Sequence, residues 1–135
     1  MPTSNYVSTN RSKHYLKCPL IFVCKNRRPV LVGPLNDDVK HIFESIAFKS
    51  DFDIEVMETD RDHVHFLIRY IPGLSIDQIV RRLKQESTRQ LWLLHPTWIC
   101  KQYGYQRILW SDGYFVCSIG EASPETVRPY ILSQG

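Results

Sequence analysis

The stretch that decides the fold is DHVHFLI at positions 62–68, in which one bulky apolar residue separates two histidines. Because the side chains of a strand alternate between its faces, this stretch predicts a strand with His63 and His65 on one face and apolar residues on the other. Two imidazoles on one face of a buried strand are costly unless something pairs with them. A divalent cation is one such partner, because neutral imidazole is a common metal ligand. The alternative is a pair of half-exposed histidines that hydrogen-bond to neighbouring residues. The spacing alone does not decide between this pair and a metal-binding pair.

The overall composition is that of a soluble globular protein. The 135 residues suffice for one domain with a hydrophobic core, and a hydrophobic fraction of 43% with a charged fraction of 23% is typical of such domains. The formal charge of +3 permits a polyanionic partner without requiring one. No apolar run approaches the roughly 20 residues of a membrane span, and residues 1–13 lack the apolar segment of a signal peptide. We therefore expect one cytoplasmic domain over residues 1–135, with no membrane partner and with residues 1–13 as a loose arm.

The cysteine spacing argues against a structural zinc site. No two cysteines are separated by two residues, which is the spacing that zinc ligands usually show. We expect reduced, partly buried thiols, as in a cytosolic protein. The four positions are Cys18, Cys24, Cys100 and Cys117.

The hydrophobic pattern predicts four strands. The apolar run LIFV at positions 20–23 suits a central strand that is buried on both faces. A proline has no backbone donor, so we expect Pro19 at the start of this strand or at an edge position. The predicted strands cover residues 15–25, 54–59, 62–70 and 114–118.

Three helices are predicted between these strands and after them. The first begins at Asn36, with Asp37 and Asp38 in its first turn, where carboxylates favour the helix dipole. The second begins with a capping box formed by Ser75 and Gln78. The helices cover residues 36–48, 76–93 and the stretch from Ser123 onward, and residues 96–106 are expected to be irregular. This order of elements predicts an α+β fold with a ferredoxin-like βαββαβ antiparallel sheet, followed by a C-terminal helix.

Cationic and aromatic side chains permit a nucleic-acid partner without requiring one. Both cationic groups suit a phosphate backbone, although a charge run is more often a solvated face. Aromatic rings in the segment after the second helix could stack on unpaired bases, but packing in the core or in a dimer is the favoured reading. The cations are Arg27 and Arg28 in a turn and Arg81, Arg82, Lys84 and Arg89, which are predicted to cover the outer face of the second helix. The aromatic residues are Trp98, Tyr103 and Tyr105.

Four motifs in order carry a family resemblance. They are KNRRPVL at 25–31, DHVH at 62–65, WSDGYF at 110–115 with Gly120 following, and YILSQ at 130–134. Together they resemble the single-tyrosine transposases of the IS200/IS605 group, within the HUH endonuclease superfamily. The match covers most of the chain beyond the N-terminal arm.

The resemblance implies an activity and a set of roles. Tyr130 matches the nucleophile, and His63, His65 and Gln134 match the ligands of a divalent metal, Mg²⁺ or Mn²⁺. Relatives cleave and rejoin single-stranded DNA through a 5′-phosphotyrosine, recognise hairpins near element ends, and form homodimers that often have composite active sites.

Other functions stay open on the sequence alone. A domesticated relative that processes repeat hairpins would share this chemistry. A ferredoxin-like nucleic-acid-binding module would have lost the catalytic activity. A metal nuclease that activates water would cut DNA without using Tyr130.

Overall fold

The computed structural model describes residues 15–116 and residue 132. Four strands, a short 3-10 turn and three helices follow one another along the chain. In chain order they are β1 (Leu16–Val23), the 3-10 turn (Lys25–Arg27), α1 (Gly33–Phe48), β2 (Phe52–Asp60), β3 (His63–Tyr70), α2 (Ile76–Leu94), α3 (Pro96–Tyr103) and β4 (Phe115–Val116).

The four strands form one antiparallel sheet in the order β2-β3-β1-β4. The histidine strand β3 lies between β1 and β2, and its first residue, His63, pairs with Val23 on one side and Asp60 on the other. An irregularity between Ile54 and Val56 shifts the register of β2. Because β3 separates β1 from β2 and α1 connects those two strands, the sheet has the split βαβ arrangement of the ferredoxin-like class. The predicted fold class is confirmed.

An aromatic cluster forms the core between the sheet and the helix layer. The rings of Phe43 on α1 and Phe66 on β3 meet edge to face with centroids 4.9 Å apart, and Phe22 on β1 lies 5.1 Å from Phe66. The Trp110 ring lies 5.8 Å from Phe22. Edge-to-face contacts of this kind add about 0.5–1.5 kcal/mol beyond the burial of area.

Strand β1 is buried on both faces, as its apolar run predicts. Leu20 and Phe22 are fully buried against the helices, and Ile21 and Val23 on the opposite face are at most 1% exposed. Phe115 packs against Ile21 and Val23 in a second, small apolar cluster. A central strand with two buried faces needs a continuous apolar run, because alternation would place polar groups in one of the two cores.

Helix α1 begins earlier than the sequence predicts. Its first residue is Gly33, whose φ of 61° favours glycine, and Pro34 stands in the first turn. The first turn contains no acidic residue, so the placement of Asp37 and Asp38 there was wrong. Asp38 instead accepts a 2.6 Å contact from Nε2 of His95, at the junction of α2 and α3.

The prediction of an irregular segment over residues 96–106 was also wrong, because α3 occupies its first eight residues. Pro96 stands in the first turn, where a proline loses no helical hydrogen bond. Gly104, with a φ of 69°, ends the helix. The capping box of α2 is present as predicted: the Ser75 hydroxyl accepts from the Gln78 amide, and the Gln78 side chain accepts from the Ser75 amide.

The predicted C-terminal helix and N-terminal arm lie almost entirely outside the described residues. Leu132 is helical and exposed. Among the helices that the structure describes, none combines the length and the apolar character that crossing a membrane requires.

Candidate functional site

The two histidines of β3 lie on the sheet face opposite the main core, which the three described helices α1, α2 and α3 do not cover. Val64 and Phe66 point into the main core and are fully buried, while His63 and His65 are partly exposed on the other face. The predicted division of the strand into two faces is confirmed. It results from the two-residue period of a strand in which every second side chain is apolar.

Asp62 orients the first histidine. Its Oδ1 atom lies 2.9 Å from Nδ1 of His63, and both side chains are a little over one-fifth exposed. A carboxylate in this position accepts a hydrogen bond from Nδ1–H and leaves the lone pair of Nε2 free, which is how metal-ligating histidines are usually held. The same contact agrees equally with the alternative to metal binding, in which the two histidines hydrogen-bond to neighbouring residues.

Burial favours the neutral form of the second histidine. Burial lowers the pKa of His65; the nearby Glu58 on β2 opposes this change, and the neighbouring His63 adds to it. Neutral imidazole is the form that offers a lone pair to a metal. His65 is therefore suited to bind a cation at neutral pH.

Two carboxylates flank the histidines across the strand pair. Glu58 stands opposite His65 and Asp60 stands opposite His63, both on exposed positions of the edge strand β2. Within residues 15–116 and 132, no three His, Cys, Asp or Glu side chains are grouped so as to hold a metal ion. Among the described residues, His63 and His65 could therefore supply only part of a ligand set for a divalent cation. The predicted third ligand, Gln134, and the predicted nucleophile, Tyr130, lie outside the described residues.

A basic turn lies directly beyond the histidine end of the sheet. The Cys24 amide donates to the Asp62 carbonyl at 2.8 Å, which joins the start of this turn to the start of β3. Asn26 and Arg27 both adopt left-handed backbone conformations, with φ of 58° and 53°. Arg27 and Arg28 are exposed. The turn thus carries two exposed arginines next to the end of β3 at which His63 lies.

Two aromatic residues of α3 hold this turn in place. The Tyr103 hydroxyl donates to the Lys25 carbonyl at 2.7 Å, and the Trp98 indole donates to the Val30 carbonyl at 3.0 Å. Burial raises the pKa of Tyr103 far above its ordinary value. These two side chains serve packing, as favoured above, and Tyr105 is exposed.

The cations of α2 divide into two groups. Arg81, Arg82 and Arg89 are exposed, and Arg82 and Arg89 donate to Ser50 and Glu86 respectively. Lys84 is half-buried, so its placement on the outer face was wrong. Burial lowers the pKa of Lys84, with Asp112 opposing that change.

Lys84 fastens the loop that precedes β4. Its ammonium donates to the carbonyls of Ser111, at 2.8 Å, and Gly113. The hydroxyl of Tyr114 donates to Asp77, near the start of α2, and this contact is the first cause that raises the pKa of Tyr114 to about 12. Sequence reasoning missed these anchors, although the WSDGYF motif pointed to the loop.

The chain matches the family described as "Transposase IS200 like" over residues 12–134. This protein is therefore a member of the IS200-like transposase family. Its curated relatives include the ISDra2 transposase TnpA of Deinococcus radiodurans, which is 32% identical over 121 residues covering 90% of this chain and 85% of the relative. The transposase for insertion sequence element IS200 of Salmonella typhimurium is 25% identical over 119 residues, covering 87% and 76% of the two chains.

Solved structures agree with the fold. A crystallised candidate transposase from Deinococcus radiodurans R1 superposes with a TM-score of 0.81 at 28% identity, covering 99% of this chain and 97% of the other. A REP-associated tyrosine transposase bound to a REP hairpin superposes with a TM-score of 0.56 at 15% identity, covering 96% and 68%. The second likeness supports the fold alone.

Proposed function

We propose that this transposase cleaves and rejoins single-stranded DNA at element ends, with Tyr130 as the nucleophile. The observation that carries the proposal is the pair of histidines on the sheet face opposite the main core. Asp62 contacts the first, and burial lowers the pKa of the second. Family membership makes the strand-exchange reaction the expected use of such a pair.

The attack forms one bond and breaks another. The Tyr130 phenolic oxygen bonds to phosphorus as the bond between phosphorus and the 3′-oxygen breaks. The products are a 5′-phosphotyrosine and a strand with a free 3′-hydroxyl, which takes up the proton that the phenol loses. Because the covalent link conserves the phosphodiester's energy, the 3′-hydroxyl of another strand can reverse the step without an external energy source.

Tyrosine needs assistance, because its ordinary pKa of about 10 leaves it mostly protonated at neutral pH. A divalent metal, Mg²⁺ or Mn²⁺, supplies Lewis-acid charge neutralisation at the phosphate when it is bound. His63 and His65 are the described residues that would hold it, with Gln134 as the proposed third ligand. Gln134 is four residues after Tyr130, which in a helix puts both on one face.

The surrounding side chains would position the DNA. Arg27 and Arg28 project from the turn beside the histidines and can pair with backbone phosphates. Arg81, Arg82 and Arg89 extend a cationic surface along α2. A hairpin near the element end as the recognised structure, and a homodimer with composite active sites, complete the proposal.

Covalent capture tests the reaction class. The protein is mixed with single strands that carry the DNA flanking its own gene, with Mg²⁺ or Mn²⁺, and run on a denaturing gel. We expect a heat-stable, metal-dependent protein–DNA band that is lost in Tyr130→Phe and in the double variant His63→Ala/His65→Ala. Cleavage that persists in Tyr130→Phe without a band would instead establish a water-using nuclease. Binding with neither product on verified end sequences would leave a binding module.

A further inference from the structure

A cleft of about 450 Å³ lies between α2 and the segment that leads to β4. Three of its lining residues, Trp92, Leu109 and Trp110, are buried members of the main core, and we call them its apolar floor. The histidines lie on the opposite face of the sheet. The cleft is therefore separate from the proposed cleavage site.

The cleft is positively charged. Lys84, Arg89 and Arg107 line it, and none of the described residues that line it carries a carboxylate. Lys84 is held by loop carbonyls and Arg89 by Glu86. Arg107 is exposed and forms no ion pair with any described residue.

The position of Arg107 is set by an aromatic ring. Its guanidinium lies over the Trp92 ring, 5.5 Å from the ring centroid. A cation held in this way keeps its N–H donors free for an anion, and the planar guanidinium can bond to two phosphate oxygens at once.

We propose that this cleft binds one unpaired nucleotide of the DNA substrate, with its phosphate on Arg107 and its base against the apolar floor. The inference rests on the proposed nucleic-acid substrate. The volume falls within the roughly 300–1,000 Å³ of ordinary ligand sites. An apolar floor beneath a cationic rim suits a nucleotide, since a base offers a flat face that packs without regard to sequence. A simple anion would use the rim alone.

This nucleotide is distinct from the one that is cleaved, because the sheet separates the cleft from the histidines. The cleft would hold the DNA at a second point. Arg107 then affects the affinity for DNA and leaves the chemistry at the histidine face unchanged.

The tryptophan indoles provide a direct readout. The Trp92 indole donates to the Ile108 carbonyl and the Trp110 indole to the Ser87 hydroxyl, both at 3.0 Å. Their N–H resonances are followed by NMR as the full chain is titrated with the tetranucleotide dT4 in the absence of divalent metal. We expect both resonances to shift, and inorganic phosphate at the same concentration to shift them less.

Charge variants decide the assignment. For Arg107→Glu, the dT4 titration of the indole shifts is expected to give an affinity that is lower by roughly tenfold or more. Lys49→Glu makes the same charge change at the exposed end of α1 and is expected to leave them intact. Arg107→Gln serves as the milder variant should the first fail to fold. Equal shifts in Arg107→Gln and wild type, or equal shifts with phosphate alone, would overturn the proposal.

The proposed role of the cleft and the proposed cleavage reaction can be tested independently. Tyr130→Phe should lose the covalent product but keep the dT4-dependent indole shifts. If Tyr130→Phe still cleaves DNA while Arg107→Glu loses the shifts, the cleft stands and the reaction mechanism is wrong.

Discussion

The Tyr103 hydroxyl donates a 2.7 Å hydrogen bond to the Lys25 carbonyl, which joins α3 to the basic turn across 78 positions of sequence. The turn needs such support, because left-handed conformations outside glycine cost on the order of 1–3 kcal/mol each. Two such residues, Asn26 and Arg27, stand side by side in it.

Tyr103→Phe should therefore loosen the turn as well as the fold. We expect the free energy of unfolding to fall by about 1 kcal/mol, since the Lys25 carbonyl loses a buried donor. Faster amide exchange at Arg27, whose N–H donates to Cys24, should accompany this change. Urea denaturation and hydrogen exchange measure the two effects. Tyr105→Phe, at a side chain that is 92% exposed, is the matched control and should change neither.

Asp62 should control metal affinity without being a ligand. Asp62→Asn keeps the size of the side chain but removes the charge that faces Nδ1 of His63. Loss of such an orienting carboxylate typically weakens metal binding by about 10–100-fold. Titration calorimetry with Mn²⁺ measures the change. Asp53→Asn makes the same substitution at the other end of β2, where the carboxylate pairs with Arg69. Equal Mn²⁺ affinity in Asp62→Asn and Asp53→Asn would show that Asp62 does not orient the ligand.

Local patterns were sufficient for much of the fold. The period of two in β3 predicted which face carries His63 and His65, because one side of the strand had to enter the core. The capping box at Ser75 predicted the start of α2, because both of its hydrogen bonds join residues three apart. Helix α3 escaped prediction since it spans eight residues with Ile99 as its single fully buried apolar side chain. So short a segment shows no helical period.

The candidate site was predictable only where its residues are close in sequence. His63 and Asp62 are neighbours, so their contact could be anticipated. Arg107 lies over Trp92, 15 positions away in the chain, and no local pattern joins them. Lys84 has the spacing of a solvated cation. Its half-buried position depends on the Ser111 and Gly113 carbonyls, which only the tertiary fold brings to it.

The Tyr114–Asp77 contact should make stability depend on alkaline pH. The pKa of Tyr114 is raised to about 12 in the folded protein, against about 10 when unfolded. Its contribution is complete below pH 10 and is lost as the pH rises to 12 and beyond. Since the contact between the Tyr114 hydroxyl and Asp77 is exposed to solvent, we expect this contribution to be below about 1 kcal/mol.

Absorbance at 295 nm, compared between wild type and Tyr114→Phe, isolates this titration. The difference should report a tyrosine that ionises near pH 12. Asp77→Asn, which removes the charge of the acceptor, should move that ionisation toward pH 10. An unchanged midpoint in Asp77→Asn would assign the shift to burial instead.

A side chain at Gly113 should destabilise the fold, although there is space for one. A Cβ added at Gly113 meets no atom within 4 Å, but φ is +76°. Gly113→Ala is therefore expected to destabilise the fold by about 1 kcal/mol or more through backbone strain. Gly73 has equal space around an added Cβ and no left-handed φ, so Gly73→Ala should be neutral or slightly stabilising.

A substitution at Gly113 should also affect Lys84, whose ammonium donates a hydrogen bond to the Gly113 carbonyl. If Gly113→Ala moves that carbonyl, then Lys84→Met should cost less stability in the Gly113→Ala background than in wild type. Urea denaturation of the four proteins gives the coupling free energy between the two positions. Additive effects would mean that the loop and the lysine are stabilised independently. A coupling of about 0.5 kcal/mol or more would establish that α2 holds this loop through Lys84.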